Sequence, residues 1–176
     1  TAEVTPQHLI LTDEALRTFE TRYKVNPPIR SEEHRAACVA GLQDGTIDAV
    51  VTDHAPHEWE EKDQEFNLAP SGFVGLETSV GAMLTYMYHT GHIDLMTLVN
   101  AMSTAQAKIL GLDAGVIAPG KDADLTVLDL DKEWTVDSSK FYSKGKAAPF
   151  DEMIFKGKAA ATIVNGEIVM KNGEVL

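Results

Sequence analysis

A short apolar run that follows directly on a helix constrains the fold of this chain more than any other feature. The run, residues 48–53 (DAVVTD), is apolar in its middle and polar at its end, which is typical of a buried strand in a parallel sheet. In the preceding segment Ser31 stands where a helix is capped, and Gly45 stands where a helix ends. Because a helix that leads into a buried strand is characteristic of α/β packing, we predict an α/β fold.

The segments after this strand predict a loop and two helices. Residues 58–72 are charged and aperiodic, which indicates a long loop of the kind that is usually functional or mobile. A helix is predicted from about Leu76 to His89, and a second helix is predicted to be capped by Asp94. We interpret both helices as structural.

The last third of the chain has the pattern of a small β unit. Residues 125–130 (LTVLDL) alternate as a strand does, and the pairs Asn165-Gly166 and Asn172-Gly173 are strong signals for tight hairpins. Near Gly115 the sequence changes from helical patterns to turn residues and an alternating run. We therefore predict two units, residues 1–112 and residues 113–176.

Charge and cysteine content exclude several partners. The net charge of −12 repels nucleic acid and anionic membranes, and there is no run of Lys and Arg that would form a basic strip. No window approaches the roughly 18 consecutive apolar residues of a membrane span. A single cysteine, Cys38, cannot form an internal disulfide, so we expect a cytoplasmic protein.

Candidate chemistry lies at the end of the predicted buried strand, where Asp53 is followed by His54 and His57. In a barrel of parallel strands, polar residues at the carboxyl ends line the catalytic face, so an acid, a base or a metal ligand is expected there. The alternative is that Asp53 caps the following loop and both histidines are ordinary surface residues. The spacing alone leaves both interpretations open.

Five longer segments carry a resemblance to one protein family. They are KVNPPIR (24–30), VTDHAPHEWEEK (51–62), NLAPSGFVGLET (67–78), EVTPQHL (3–9) and GVIAPGKDADLTVLDLDKEWTV (115–136). Together these segments resemble the bacterial-type (type I) dihydroorotases of the amidohydrolase superfamily, and the resemblance covers nearly the whole chain. It implies an enzyme, the C-terminal part of a metallo-dependent hydrolase (β/α)8 TIM barrel and, after it, part of a small β-sandwich subdomain.

The resemblance also implies the reaction and the residues that perform it. The family interconverts N-carbamoyl-L-aspartate and dihydroorotate in pyrimidine biosynthesis, with hydroxide held between two zinc ions. By resemblance, Asp53 binds one zinc and serves as general base and general acid. His57 and Asn26 contact the substrate, and the backbone of Ser71 and Gly72 touches its ring.

Other ligands that the family uses are missing from this sequence. It contains no His-x-His pair, and Gln7 stands before His8 where relatives have two adjacent histidines, close to Glu3. Since catalytic zinc normally takes three protein ligands and a complete barrel takes about 250 residues, we expect a fragment that is inactive alone and lacks residues upstream of Thr1. His54 is predicted to be packed or hydrogen-bonded.

Three hypotheses remain open. The first is a dihydroorotase, expected to be a homodimer when complete and with aspartate transcarbamoylase as a further candidate partner. The second is another cyclic amidohydrolase, such as an allantoinase or a hydantoinase. The third is a non-catalytic dihydroorotase-like partner of aspartate transcarbamoylase, which would have no physical need for Asp53, His57 and Asn26 together.

Overall fold

Two short parallel strands organise the first part of the computed structural model, which describes residues 1–176. Strand β1 (Glu3–Val4) pairs in parallel with β2 (Ala49–Val50), and Val4 lies opposite Val50. Between these strands the chain forms helix α1 (Pro6–Ile10) and helix α2 (Glu32–Asp44). Parallel strands joined by a helical crossover form a β-α-β unit, so the predicted α/β class is confirmed.

Helix α2 begins and ends where its sequence predicts. Ser31 occupies the N-cap position, although its hydroxyl lies 2.8 Å from Nδ1 of His34 and makes no capping hydrogen bond to the backbone. Gly45 ends the helix in the left-handed conformation, with φ of 80°. The helix buries Val39 and Leu42 in the core beside β1 and β2.

Two further regions contain short helical elements. Residues before Pro27 and Pro28 form two 3₁₀ helices, Asp13–Thr18 and Thr21–Tyr23. The predicted loop 58–72 begins with one helical turn, α3 (Trp59–Lys62), in which Lys62 is buried. A single turn leaves too little sequence for a 3.6-residue apolar pattern to be recognised, which explains the omission of α3.

The two predicted helices that follow are present, and each contains a π-helical turn. Helix α4 (Ser79–Met83) continues as a π turn over Leu84–Tyr88. Helix α5 (Leu95–Val99) continues through a π turn, Asn100–Thr104, into helix α6 (Ala105–Leu110). The N-cap prediction is confirmed, because the Asp94 carboxylate accepts a hydrogen bond from the Thr97 N–H at 2.7 Å. None of these helices is both long and apolar enough to cross a membrane.

The last part of the chain forms one antiparallel sheet of four strands in sequence order. Its strands are β3 (Leu125–Thr135), β4 (Ile154–Val164), β5 (Glu167–Lys171) and β6 (Glu174–Val175). Asn165 and Gly166 form the β4–β5 turn with φ of 50° and 82°, and Asn172 and Gly173 form the next turn. Both hairpin predictions are therefore confirmed.

One part of the hydrophobic core joins this sheet to the helices. Ala82 of α4 lies in a buried cluster with Val136, Phe150 and Phe155. Phe155, on β4, is completely buried and contacts Trp134 edge-on at a ring-centroid distance of 5.4 Å. The division into residues 1–112 and 113–176 stays a prediction, and this cluster packs side chains from both sides of it.

Candidate active site

The segment after β2 lies along a second segment, residues 71–75, and these two segments form the candidate site. The Ala55 N–H donates to the Phe73 carbonyl at 3.0 Å, which fixes the two segments side by side. Asp53 is exposed and has φ of 49°, a left-handed conformation that aspartate tolerates better than most residues. Asp53 is therefore accessible to solvent three residues after the end of β2.

His54 is hydrogen-bonded to the backbone, in agreement with its predicted role. Its Nδ1 accepts from the N–H of Gly75 at 3.1 Å and more weakly from that of Leu76 at 3.4 Å. Because Nδ1 accepts, the ring proton of neutral His54 lies on Nε2. His54 therefore holds the start of the helix-bearing segment against the strand-end loop.

Three of the predicted site residues, His57, Ser71 and Gly72, lie together. Nε2 of His57 donates to the Ser71 carbonyl at 2.9 Å, and Nδ1 lies 3.2 Å from the Glu61 carboxylate. Gly72 has φ of 126°, and a Cβ added there would lie 3.0 Å from Nε2 of His57 and 2.8 Å from Cβ of Ala55. Only glycine allows this close approach without strain.

Asn26 is exposed, and the residues on either side of it form the hydrogen bonds that join its segment to the site. The Gly72 N–H donates to the Lys24 carbonyl at 2.9 Å, two residues before Asn26. On the other side, Nε2 of His8 donates to the Pro27 carbonyl at 2.9 Å. The segment that carries Asn26 is thus held between helix α1, which contains His8, and the loop that carries Gly72.

Two lysines that the sequence did not single out bind the same loop. Lys62 is 2% exposed, and its Nζ donates to the carbonyls of Pro70 at 2.9 Å and Gly72 at 2.8 Å. Burial, together with the charge of Lys24, lowers the pKa of Lys62 to about 8. Nζ of Lys24 donates to the Ala69 carbonyl at 2.6 Å. Lysines in a charged loop are usually solvated, so no local signal marks them.

A segment between β3 and β4 also supports the site. The Glu77 carboxylate accepts from the N–H of Ser143 at 2.9 Å and from its hydroxyl at 2.8 Å. Burial raises the pKa of Glu77, but these hydrogen bonds outweigh that effect and hold its pKa below the ordinary value. Gly145 packs so closely that an added Cβ would lie 2.9 Å from the His57 carbonyl oxygen. Sequence reasoning missed this support.

The residues present do not make a complete metal site. No group of three or more His, Cys, Asp or Glu side chains is placed to hold one ion, whereas a catalytic zinc takes about three protein ligands. Gln7, where the resembling family has a histidine, is buried, and its amide nitrogen has no hydrogen-bond partner. Asp53 is the one residue here that the resemblance makes a ligand, and one carboxylate is insufficient.

The parallel strands, the exposed carboxylate at a strand end and the histidine-bound loop together define the class of protein. Residues 4–169 match the model of the amidohydrolase family, and the chain belongs to that family.

Within the family, the predicted resemblance to dihydroorotases is confirmed by comparison with curated proteins. The chain is 43% identical to the dihydroorotase of Acetivibrio thermocellus, over 100% of this chain and 41% of that protein. It is 50% identical to the dihydroorotase of Citrifermentans bemidjiense, over 96% of this chain and 40% of that protein. The matched region is the C-terminal part of these relatives, and the chain spans about two fifths of their length.

A solved structure has the same fold. The L-hydantoinase (dihydropyrimidinase) from Arthrobacter aurescens superposes with a TM-score of 0.94 at 38% sequence identity. The match covers 99% of this chain and 40% of that chain.

Proposed function

We propose that this chain is the C-terminal part of a dihydroorotase. The complete enzyme would open the ring of dihydroorotate to N-carbamoyl-L-aspartate and close it in the direction of pyrimidine (UMP) biosynthesis. The observation that carries the proposal is the contact of His57 with the Ser71–Gly72 loop, which lies against the segment carrying the exposed Asp53. The dihydroorotase relatives over the whole chain support it.

In the proposed mechanism, Asp53 moves the proton. Its exposed carboxylate takes a proton from the attacking water and delivers it to the departing ring nitrogen. His57 and Asn26 bind the substrate, and the backbone of Ser71 and Gly72 contacts the ring. The fixed backbone orients the ring before reaction, which is a recognised source of rate enhancement.

We propose that the working site holds two zinc ions, which would activate the attacking water when bound. Asp53 is assigned as one ligand. Because the residues present form no three-ligand group, the other ligands are assigned to parts of the complete protein outside this chain.

The proposal includes the architecture and setting of the complete protein. Residues 1–112 are assigned to the last strands and helices of a TIM barrel, and residues 113–176 to part of a β-sandwich subdomain. The TM-score of 0.94 to an L-hydantoinase supports this assignment. We propose a cytoplasmic homodimer, with aspartate transcarbamoylase as a further candidate partner.

The ring specificity is tested by assay of the complete protein that contains this chain. Dihydroorotate, hydantoin and allantoin are compared at matched concentrations, and kcat/KM is expected to be highest for dihydroorotate. A hydantoinase is the second candidate, favoured by the 38% identity to the L-hydantoinase. A higher kcat/KM for hydantoin would select it, and no turnover of any ring would favour a non-catalytic partner of aspartate transcarbamoylase.

Replacing His57 by alanine in the complete protein is expected to raise KM for dihydroorotate while leaving the zinc content unchanged. Asn26→Ala should act in the same direction but by only about 2- to 10-fold, because a neutral hydrogen bond contributes roughly 0.5–1.5 kcal/mol net. Steady-state kinetics and metal analysis are the measurements. His92→Ala, at an exposed histidine, is the control. Loss of one zinc equivalent in His57→Ala would make His57 a ligand.

Residues 1–176 expressed alone are expected to show neither ring opening nor stoichiometric zinc. The reason is that Asp53 by itself cannot outcompete water for a metal ion. Metal analysis and a dihydroorotate assay are compared with the complete protein. Stoichiometric zinc together with turnover in the isolated chain would contradict the division of ligands proposed above.

A further inference from the structure

Three consecutive carbonyl groups of the candidate substrate loop are bound by side chains. Lys62 donates to the carbonyls of Pro70 and Gly72 at 2.9 and 2.8 Å. His57 donates to the intervening Ser71 carbonyl at 2.9 Å. The backbone of residues 70–72 is therefore held at every carbonyl, and this stretch contains Ser71 and Gly72, which are assigned to contact the substrate ring.

The burial of Lys62 is the unusual part of this arrangement. Its side chain forms none of the ion pairs in the structure, so its charge is compensated by carbonyl oxygens. Burying an ammonium group is costly unless its N–H groups are hydrogen-bonded. A methionine would fill similar space without that cost. The property that distinguishes lysine at this position is therefore the hydrogen bonding of the loop carbonyls.

The helix that carries Lys62 is itself anchored. The hydroxyl of Thr21 donates to the Lys62 carbonyl at 2.5 Å, which ties α3 to the 3₁₀ helix before Asn26. Lys62 is thus fixed both at its backbone carbonyl and at its Nζ.

Lys24 holds the same loop from a second direction. Its Nζ donates to the carbonyls of Phe66 at 2.7 Å and Ala69 at 2.6 Å, and its own carbonyl accepts from the Gly72 N–H at 2.9 Å. Since Asn26 is two residues away, Lys24 connects two of the assigned substrate contacts, Asn26 and Gly72.

We propose that Lys62, assisted by Lys24, is a positioning residue for the substrate: the buried ammonium fixes the Pro70–Gly72 backbone in the conformation that meets the ring. This inference rests on the proposed function, which assigns the ring contact to Ser71 and Gly72. Lys62 acts through the loop and is not assigned any contact with the reacting atoms.

The test is Lys62→Met in the complete protein, with dihydroorotate as substrate. KM is expected to rise about 10- to 100-fold, the range that corresponds to loss of a hydrogen bond to a charged group, whereas kcat should change by less than about threefold because Asp53 is untouched. Lys132→Met, at an exposed lysine away from the loop, is the matched control. A purely structural role would lower the unfolding midpoint and leave KM unchanged, and that result would overturn the proposal.

A double mutant separates positioning from independent effects. If Lys62 acts through the loop that His57 binds, the rise in KM for Lys62→Met combined with His57→Ala should be smaller than the product of the two single effects. A full product would overturn the proposal. If Lys62→Met does not fold, Lys24→Met is expected to raise KM about 3- to 10-fold for the same reason, and an unchanged KM would overturn it.

Failure of the proposed function gives a different result. If the unmodified complete protein does not turn over dihydroorotate, the proposed function is wrong, and amide hydrogen exchange then tests the loop directly. Faster exchange at residues 71–75 in Lys62→Met, with β4 unchanged, supports the positioning role. Unchanged exchange at residues 71–75 overturns it.

Discussion

Replacing Asp53 by asparagine in the complete protein is expected to lower kcat for dihydroorotate ring opening by about 100- to 10,000-fold. An amide cannot accept the proton of the attacking water or return it to the ring nitrogen. The fold should remain intact, because Asp53 is exposed and lies outside the buried core. Steady-state kinetics, with circular dichroism to verify folding, measure the effect.

The control for this substitution is Asp122→Asn, which removes the same charge at an exposed position before β3. It should leave kcat unchanged, so a general effect of net charge is excluded. If Asp53→Asn retains more than about a tenth of the unmodified rate, the proton-transfer role is wrong, because loss of a general acid and base is larger than that.

Gly157→Ala is expected to lower the free energy of unfolding by roughly 2–6 kcal/mol. Gly157 has φ of 104°, and an added Cβ would lie 2.6 Å from Cδ1 and 2.8 Å from Cβ of Leu84. The estimate adds roughly 1–3 kcal/mol for backbone strain to about 1–3 kcal/mol for overpacking. Urea unfolding of the complete protein measures the free energy.

Gly166→Ala is the matched control, because Gly166 also has a positive φ, 82°, but no atom lies within 4 Å of an added Cβ. It should lose only about 1–2 kcal/mol, the cost of backbone strain alone in the left-handed helical region. Equal losses of unfolding free energy in the two variants would mean that the contact with Leu84 adds no cost at position 157. A smaller loss for Gly157→Ala than for Gly166→Ala would contradict the packing argument altogether.

The elements that could be predicted from the sequence are those specified by nearby residues. Gly45 ends α2 and Asn165-Gly166 forms a hairpin because each requires only a local backbone conformation. The short 3₁₀ helices and α3 have too few residues to show a periodic pattern. The candidate site was predicted through resemblance, and the structure brings His57, Ser71 and Gly72 together.

The supporting contacts could not be predicted, since they join distant parts of the chain. Lys24 and Ala69 are 45 residues apart, and Glu77 and Ser143 are 66 residues apart. No spacing rule links such pairs before the fold is known. Packing in the core could not be predicted for the same reason. The change of sequence pattern near Gly115 does not indicate that Phe155 packs beside Ala82.

The shared cluster of Ala82, Val136, Phe150 and Phe155 has a consequence for recombination with relatives. A chimera that takes residues 113–176 from a relative would pack the relative's side chains at positions 136, 150 and 155 against the native α4. Mismatched volumes there are costly because protein interiors are close-packed. A crossover before Ser79 therefore takes α4 and the sheet from the same parent, so that Ala82 keeps its native partners in the cluster.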